Sequence, residues 1–181
     1  MATTSGADAR RAATTSCYEL AAEIVSMAGS LGLTVACAES CTGGLVAAAL
    51  TDVPGSSSAV MGGVVSYAVS VKERVLGVPG SITRDPEVGV VSEACARSMA
   101  EGVRRALAAD IGVSTTGIAG PGGAEPGKPV GTVCFAVSSQ GGTRTCTCHF
   151  EGSRTDVREA ACRQALELVF GELERIKGDG C

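Results

Sequence analysis

Leu20, Ile24, Met27 and Leu31 recur at helical spacing and predict a first helix over roughly residues 17–31. Residues 33–38 (LTVACA) form a short apolar run that reads as a buried strand. Glu39-Ser40-Cys41-Thr42-Gly43-Gly44 interrupts it, and an Ala-rich helix follows to about Leu50, where Asp52-Val53-Pro54-Gly55 stops it. Residues 59–68 (AVMGGVVSYA) read as a second strand, with Gly62-Gly63 marking a bulge or a close-packing point. A short helix is expected near residues 70–76, and a connecting loop over 77–91 with Gly77, Pro79, Gly80 and Pro86. Ser92 suits an N-cap for a helix to about Ala108, with Cys95, Met99, Val103 and Leu107 along one face. Residues 111–116 form another buried strand, ending in Thr116-Gly117-Ile118-Ala119-Gly120-Pro121-Gly122-Gly123. Residues 130–138 and 143–150 read as two strands of a hairpin turning at Gln140-Gly141-Gly142. A last helix begins at Ser153, which forms a capping box with Asp156, and presents Cys162, Leu166, Val169 and Leu173.

Helices thus alternate with buried strands, while the late hairpin must be antiparallel. The pattern predicts a single α/β domain, a three-layer α/β/α sandwich around a mixed β-sheet. The expected boundaries are a disordered tail over residues 1–16, a domain over 17–175 and a C-terminal tail over 176–181. The first of these (MATTSGADARRAATTS) has no periodicity and only a faint transit-peptide composition.

Composition narrows the function. The chain of 181 residues suffices for one self-sufficient core. With two Tyr, three Phe and no Trp, that core must be aliphatic. A net charge of −4, without a Lys/Arg-rich block and with few stacking residues, argues against nucleic acid as a partner. A small anionic ligand is still possible, since it needs only a cation or two, or a helix N-terminus. No stretch of 18 apolar residues is present, so no membrane association is expected. The nine Cys are odd in number and irregularly spaced, which predicts reduced thiols serving as small core residues in the cytoplasm. Cys146, Cys148 and His149 lie in an alternating Thr/Cys run without the spacing of known zinc modules, so neither metal nor cofactor is expected.

His149 is the only His, and its place in a strand pattern favours a strand-face role over a Ser-His-Asp triad. No G-x-S-x-G elbow surrounds any Ser, and no G-x-G-x-x-G follows a strand. Gly122 to Lys128 matches part of a phosphate loop, but Pro129 replaces its Ser/Thr and a strand follows in place of a helix. Ser40, by contrast, sits where a buried strand turns into a helix. Free N–H groups of a first helical turn favour negative charge, and Gly43 and Gly44 would let a ligand approach the backbone, with Thr42 beside them as a further substrate-binding candidate. From position alone, Ser40 is equally well read as a helix cap or as a nucleophile. A nucleophile needs a base, and of Lys72, Lys128 and Lys177 the best placed is Lys72, beginning a short helix beside Tyr67. Spacing alone cannot bring Lys72 to Ser40. The loop containing Gly117, Gly120 and Gly122 also follows a strand and is a second candidate ligand loop, or else a tight connection.

Together these segments resemble the C-terminal domain of the CinA (competence-damage-inducible) family. The matching stretches are Ala38-Glu39-Ser40-Cys41-Thr42-Gly43-Gly44, Thr51-Asp52-Val53-Pro54-Gly55-Ser56-Ser57, Gly62-Gly63-Val64-Val65-Ser66-Tyr67 with Lys72 after it, the 116–123 loop, Lys128-Pro129-Val130-Gly131-Thr132-Val133, and Arg154 after Phe150-Glu151-Gly152. The likeness covers about residues 18–173. It implies a Ser/Lys amidohydrolase that deamidates nicotinamide mononucleotide to nicotinate mononucleotide and ammonia without a metal. Ser40 matches the nucleophile, Lys72 the general base, and Tyr67 a residue assisting them. Thr116 and Arg154 match positions that hold or orient substrate, Arg154 through a fork suited to phosphate. The resemblance also implies a homo-oligomer. Many relatives carry a larger N-terminal domain of molybdopterin-binding type with pyrophosphatase activity, which this chain is expected to lack. Ser153 stands where Asp is frequent and Val69 where a polar residue is common. A non-catalytic nucleotide-binding or competence-related module, and an amidase for another small carboxamide, are the alternative readings.

Overall fold

The structure, a computed structural model, describes residues 16–179; of the tail expected over 1–16, residues 1–15 lie outside them and Ser16 is instead the cap of the first helix. Helix α1 (Cys17–Leu31) opens with a capping box in which Ser16 and Glu19 exchange side-chain-to-backbone bonds, and it ends on Gly32 in the left-handed region. Of the periodic residues, Leu20 and Ile24 are buried and Met27 and Leu31 half-buried, while Ala21, Val25 and Ala28 complete the buried face. Strand β1 (Val35–Glu39) is buried along its whole length because it has a strand on each side and a helical layer on each face. Helix α2 (Leu45–Thr51) follows, then a 3-10 turn at Ser56–Ser58, strand β2 (Val60–Val65) and helix α3 (Val69–Leu76). The 77–91 connection is not all loop: it contains one helical turn, α4 (Gly80–Thr83). Helix α5 (Glu93–Ala106) is capped by Ser92, whose hydroxyl accepts from Cys95 N–H. Strands β3 (Ile111–Gly117), β4 (Thr132–Ser139) and β5 (Gly142–His149) precede the long helix α6 (Arg154–Asp179). The Ser153–Asp156 capping box forms with both of its bonds. Helix α6 runs on to Asp179, so residues 176–179, expected as a tail, continue the helix.

The sheet order is β2-β1-β3-β4-β5. Strand β1 pairs in parallel with β2 and β3, while β3, β4 and β5 are antiparallel neighbours, which gives the mixed sheet that the hairpin demanded. The register steps from Val35↔Val60 to Ala36↔Gly62, so a bulge at Met61 precedes the Gly62-Gly63 pair. One sheet face packs Val35, Cys37, Val113 and Phe135 against α1, α2 and α6. The other packs Ala36 and Ala38 against Leu76 of α3 and Cys95, Met99 and Val103 of α5. The result is the three-layer α/β/α sandwich.

Helix α3 is held against α5 by a close backbone approach at Gly102, where a Cβ would stand 2.0 Å from the Leu76 carbonyl oxygen. Gly102→Ala therefore forces α3 away from α5 and is expected to destabilise the fold by about 2 kcal/mol. Because α3 carries Lys72, which the resemblance implies to be a general base, the amidase activity that the resemblance implies should fall more than the loss of folded protein accounts for; thermal melting beside a turnover assay at a temperature where both proteins stay folded checks this.

Candidate active site

The site lies at the carboxyl ends of β1, β2 and β3. Parallel pairing of β1 with β2 brings the segment after Val65 beside the segment after Glu39: Ser66 N–H donates to Glu39 O at 2.7 Å. The chain then turns into α3, and the Lys72 side chain returns over that junction. Lys72 Nζ lies 2.8 Å from Ser40 Oγ and donates to Ser66 O at 2.6 Å. Two residues 32 apart in sequence are thus in direct contact, and both are buried, with Lys72 2% and Ser40 9% exposed.

Burial lowers the Lys72 pKa because a desolvated ammonium is penalised more than an amine. Negative charge on Cys95 or Cys41 would oppose this. Burial, however, pushes each of those thiols up to about 11, so at neutral pH neither supplies that charge. A neutral Lys72 amine keeps N–H groups for Ser66 O and has a lone pair for the Ser40 hydroxyl proton. Activity should therefore rise with pH along a limb that lies below the ordinary Lys value of 10.5. A pH–rate profile of kcat/KM checks this; a limb at or above that value would show an exposed, ordinary amine.

The turn bearing Ser40 is built on Glu39, which is 1% exposed. One carboxyl oxygen of Glu39 accepts from Thr42 Oγ1 (2.7 Å), Gly44 N–H (2.8 Å) and Val46 N–H (3.2 Å), and the other from Ala47 N–H (2.9 Å). This corrects the expectation that the first turn of α2 offers free donors to a ligand: a side chain of the protein occupies them. Among the described residues beside Ser40, the N–H groups of residues 41–43 and of Leu45 meet no carboxyl or carbonyl oxygen, and those of Cys41 and Thr42 face the Cys41 sulfur. Gly43 and Gly44 have φ of +63° and +102°, which an L side chain resists, so both glycines are required by the turn itself.

The other predicted residues divide into two groups. Thr42 is fully buried, and its hydroxyl bridges Glu39 and Thr115 Oγ1, so its side chain is structural. Thr116 is also buried, one register position beyond the Glu39–Thr115 pair, and its hydroxyl donates to Val90 O at 2.7 Å. Gly117 is an packing point against β4, since a Cβ there would stand 2.6 Å from Thr132 O. Tyr67, Arg154 and Gly120 do come together at the rim: Arg154 donates to Gly120 O (2.8 Å) and to Tyr67 Oη (3.2 Å). Tyr67 is 64% exposed and directly follows Ser66 in the chain, and Gly122 lies in the exposed part of the same loop. The Arg154 fork is thus partly used by the protein. His149 is exposed on the last position of β5, paired with Thr132, in the strand where a face residue was expected.

Sequence reasoning missed three residues: Glu39 and Ser66, quoted only as parts of motifs, and Arg158. The Arg158 guanidinium donates to Cys41 O (3.2 Å) and Thr42 O (2.8 Å). The signal for Arg158 was its position one helical turn after Arg154, which puts both on one face of α6.

Residues 17–173 match the family model described as the CinA C-terminal domain. A CinA-like protein of Gemmatimonas aurantiaca is 46% identical over 161 residues, which span 89% of this chain and 37% of that protein. One from Anaeromyxobacter dehalogenans strain 2CP-1 is 50% identical over 151 residues, spanning 83% of this chain and 36% of that protein. The chain therefore spans a little over a third of the length of these curated relatives. The crystal structure of the competence/damage inducible protein CihA from Agrobacterium tumefaciens superposes with a TM-score of 0.83 at 38% identity, covering 96% of this chain and 99% of that one. A CinA superfamily protein from Klebsiella pneumoniae 700603 superposes at 0.84 with 33% identity, covering 89% and 99%. On sequence and on fold, the chain belongs to the CinA C-terminal domain family.

Proposed function

We propose that this chain is a serine amidohydrolase that converts nicotinamide mononucleotide to nicotinate mononucleotide and ammonia, in pyridine-nucleotide salvage. The observation that carries the proposal is the buried contact of 2.8 Å between Lys72 Nζ and Ser40 Oγ. Ser40 Oγ attacks the carboxamide carbon while Lys72 takes the hydroxyl proton. The resulting oxyanion is met by N–H groups of the 41–43 turn. Lys72 then returns the proton to the leaving nitrogen, which departs as ammonia and leaves an ester on Ser40. Water attacks that ester, Lys72 accepts the water proton and passes it to Ser40 Oγ as the acid departs. One amine serves as base and acid in both halves, the Ser-Lys form of triad logic. No step calls for a metal or a cofactor. Tyr67 and Arg154, joined at the rim, orient the substrate, with Arg154 offering charge to its phosphate.

The protein is expected to act in the cytoplasm as a homo-oligomer on a small nucleotide, without nucleic acid or membrane. No helix among the described residues is long and apolar enough to cross a membrane. The engagement of Arg154 by Gly120 and Tyr67 favours a second reading, an amidase for a carboxamide without phosphate. Steady-state ammonia release from nicotinamide mononucleotide, its riboside and free nicotinamide separates the two. A phosphate-reading site should lose about 10-fold or more in kcat/KM for the riboside; equal values for nucleotide and riboside would favour the second reading.

A further inference from the structure

We propose that Arg158 is a positioning residue of the nucleophile turn, acting through the peptide groups that follow Ser40; this rests on the serine amidohydrolase reading above. Arg158 sits on α6, which packs on one face of the sheet, while α3, the helix that carries Lys72, packs on the other. Its Nε and Nη2 donate to two successive carbonyls, Cys41 O and Thr42 O, at 3.2 and 2.8 Å. A peptide unit is planar and trans, so fixing a carbonyl oxygen fixes the next N–H in the opposite direction. The Cys41 carbonyl thereby aims the Thr42 N–H away from α6, and the Thr42 carbonyl does the same for the Gly43 N–H.

The guanidinium also polarises both peptide groups. A charged donor on each carbonyl strengthens the N–H on the far side as a donor to developing negative charge. Glu39 completes the arrangement from inside the fold by taking the N–H groups of Gly44, Val46 and Ala47. Glu39 holds donors that the reaction does not use, and Arg158 turns outward the ones that it does. The fit is close: a Cβ on Gly43 would stand 3.3 Å from Arg158 Nη2. Lys cannot replace Arg here, since one ammonium does not match two successive carbonyls in a fixed fork.

The test compares wild type with Arg158→Gln and Arg158→Lys at matched thermal stability. Both variants should lower kcat for ammonia release from nicotinamide mononucleotide by about 30-fold, less than loss of a direct oxyanion donor. KM and the pH limb set by Lys72 should not move. Millimolar guanidinium chloride should restore part of the Arg158→Gln rate. An unchanged kcat overturns the proposal, and so does a loss confined to KM, which would make Arg158 a substrate contact. The burst of p-nitrophenolate from p-nitrophenyl acetate reads acylation of Ser40 without the nucleotide, and should fall by a similar factor. A wild type that gives the Ser40-dependent burst but no ammonia sinks the nucleotide reading, while the burst still judges Arg158. If the wild type shows neither activity, the backbone order parameters of Thr42 and Gly43 decide. A fall in Arg158→Gln supports the clamp, and equal values overturn it.

Discussion

Lys72→Met is expected to lower amidase turnover by about 10⁴-fold while leaving the fold intact or more stable. The side chain is 2% exposed and of similar length in both residues, so the substitution keeps the packing, removes the amine and takes one donor from Ser66 O. That amine is costly to the fold. Its pKa is lowered by burial, so the folded state resists the proton that the unfolded chain binds up to pH 10.5. The penalty is complete below the folded pKa and disappears as pH rises toward 10.5. Melting temperatures of Lys72→Met and wild type should therefore differ most at acid and neutral pH, with the variant at or above wild type, and converge at alkaline pH. Ammonia release measured beside these melts separates the two effects. A variant that kept its turnover would remove Lys72 from the chemistry, and one that unfolded would make it a structural residue.

Glu39→Ala should be the most damaging substitution near the site that removes no reacting atom, costing about 3 kcal/mol. It strips acceptors from the Thr42 hydroxyl and from the N–H groups of Gly44, Val46 and Ala47, in a region where Glu39 and Thr42 are shielded from water. The buried donors of Thr42 and Val46 would incur the full desolvation penalty when left unpaired, and the first turn of α2 loses the carboxyl group that caps it in place of a side chain on Gly44. Glu39→Gln keeps the shape but turns an NH2 group toward one of those donors, so it should fall between wild type and the alanine variant. Chemical denaturation gives the order; equal midpoints for all three would mean that water replaces the carboxyl group without cost.

Much of the architecture was legible because it rests on local rules. The capping boxes at Ser16–Glu19 and Ser153–Asp156, the Ser92 cap, and the apolar periodicities of α1 and α5 depend on residues within one or two turns. The hairpin of β4 and β5 follows from its Gly-rich turn. Strand β2 ends at Val65, earlier than the apolar run suggests, because the parallel ladder gives out where Ser66 turns toward Lys72. The turn α4 lacks a periodic pattern, being only four residues long. At the site, the strand-to-helix junction marked Ser40 as a cap or a nucleophile, and its pairing with Lys72 came only from the resemblance, since spacing cannot show that β2 lies parallel beside β1. Glu39 escaped notice for a similar reason. A Glu ending a strand reads as a solvent-facing residue until the turn folds back over it. Arg158 reaches Cys41 and Thr42 across 117 and 116 residues of sequence, a contact that only the packing of α6 against the sheet creates.

The most direct test is ammonia release from nicotinamide mononucleotide by the purified protein, with chelator present, beside Ser40→Ala. The Ser40–Lys72 mechanism requires release that persists in chelator and falls to background in the folded variant; release that survives in Ser40→Ala, or that chelator abolishes, would contradict it.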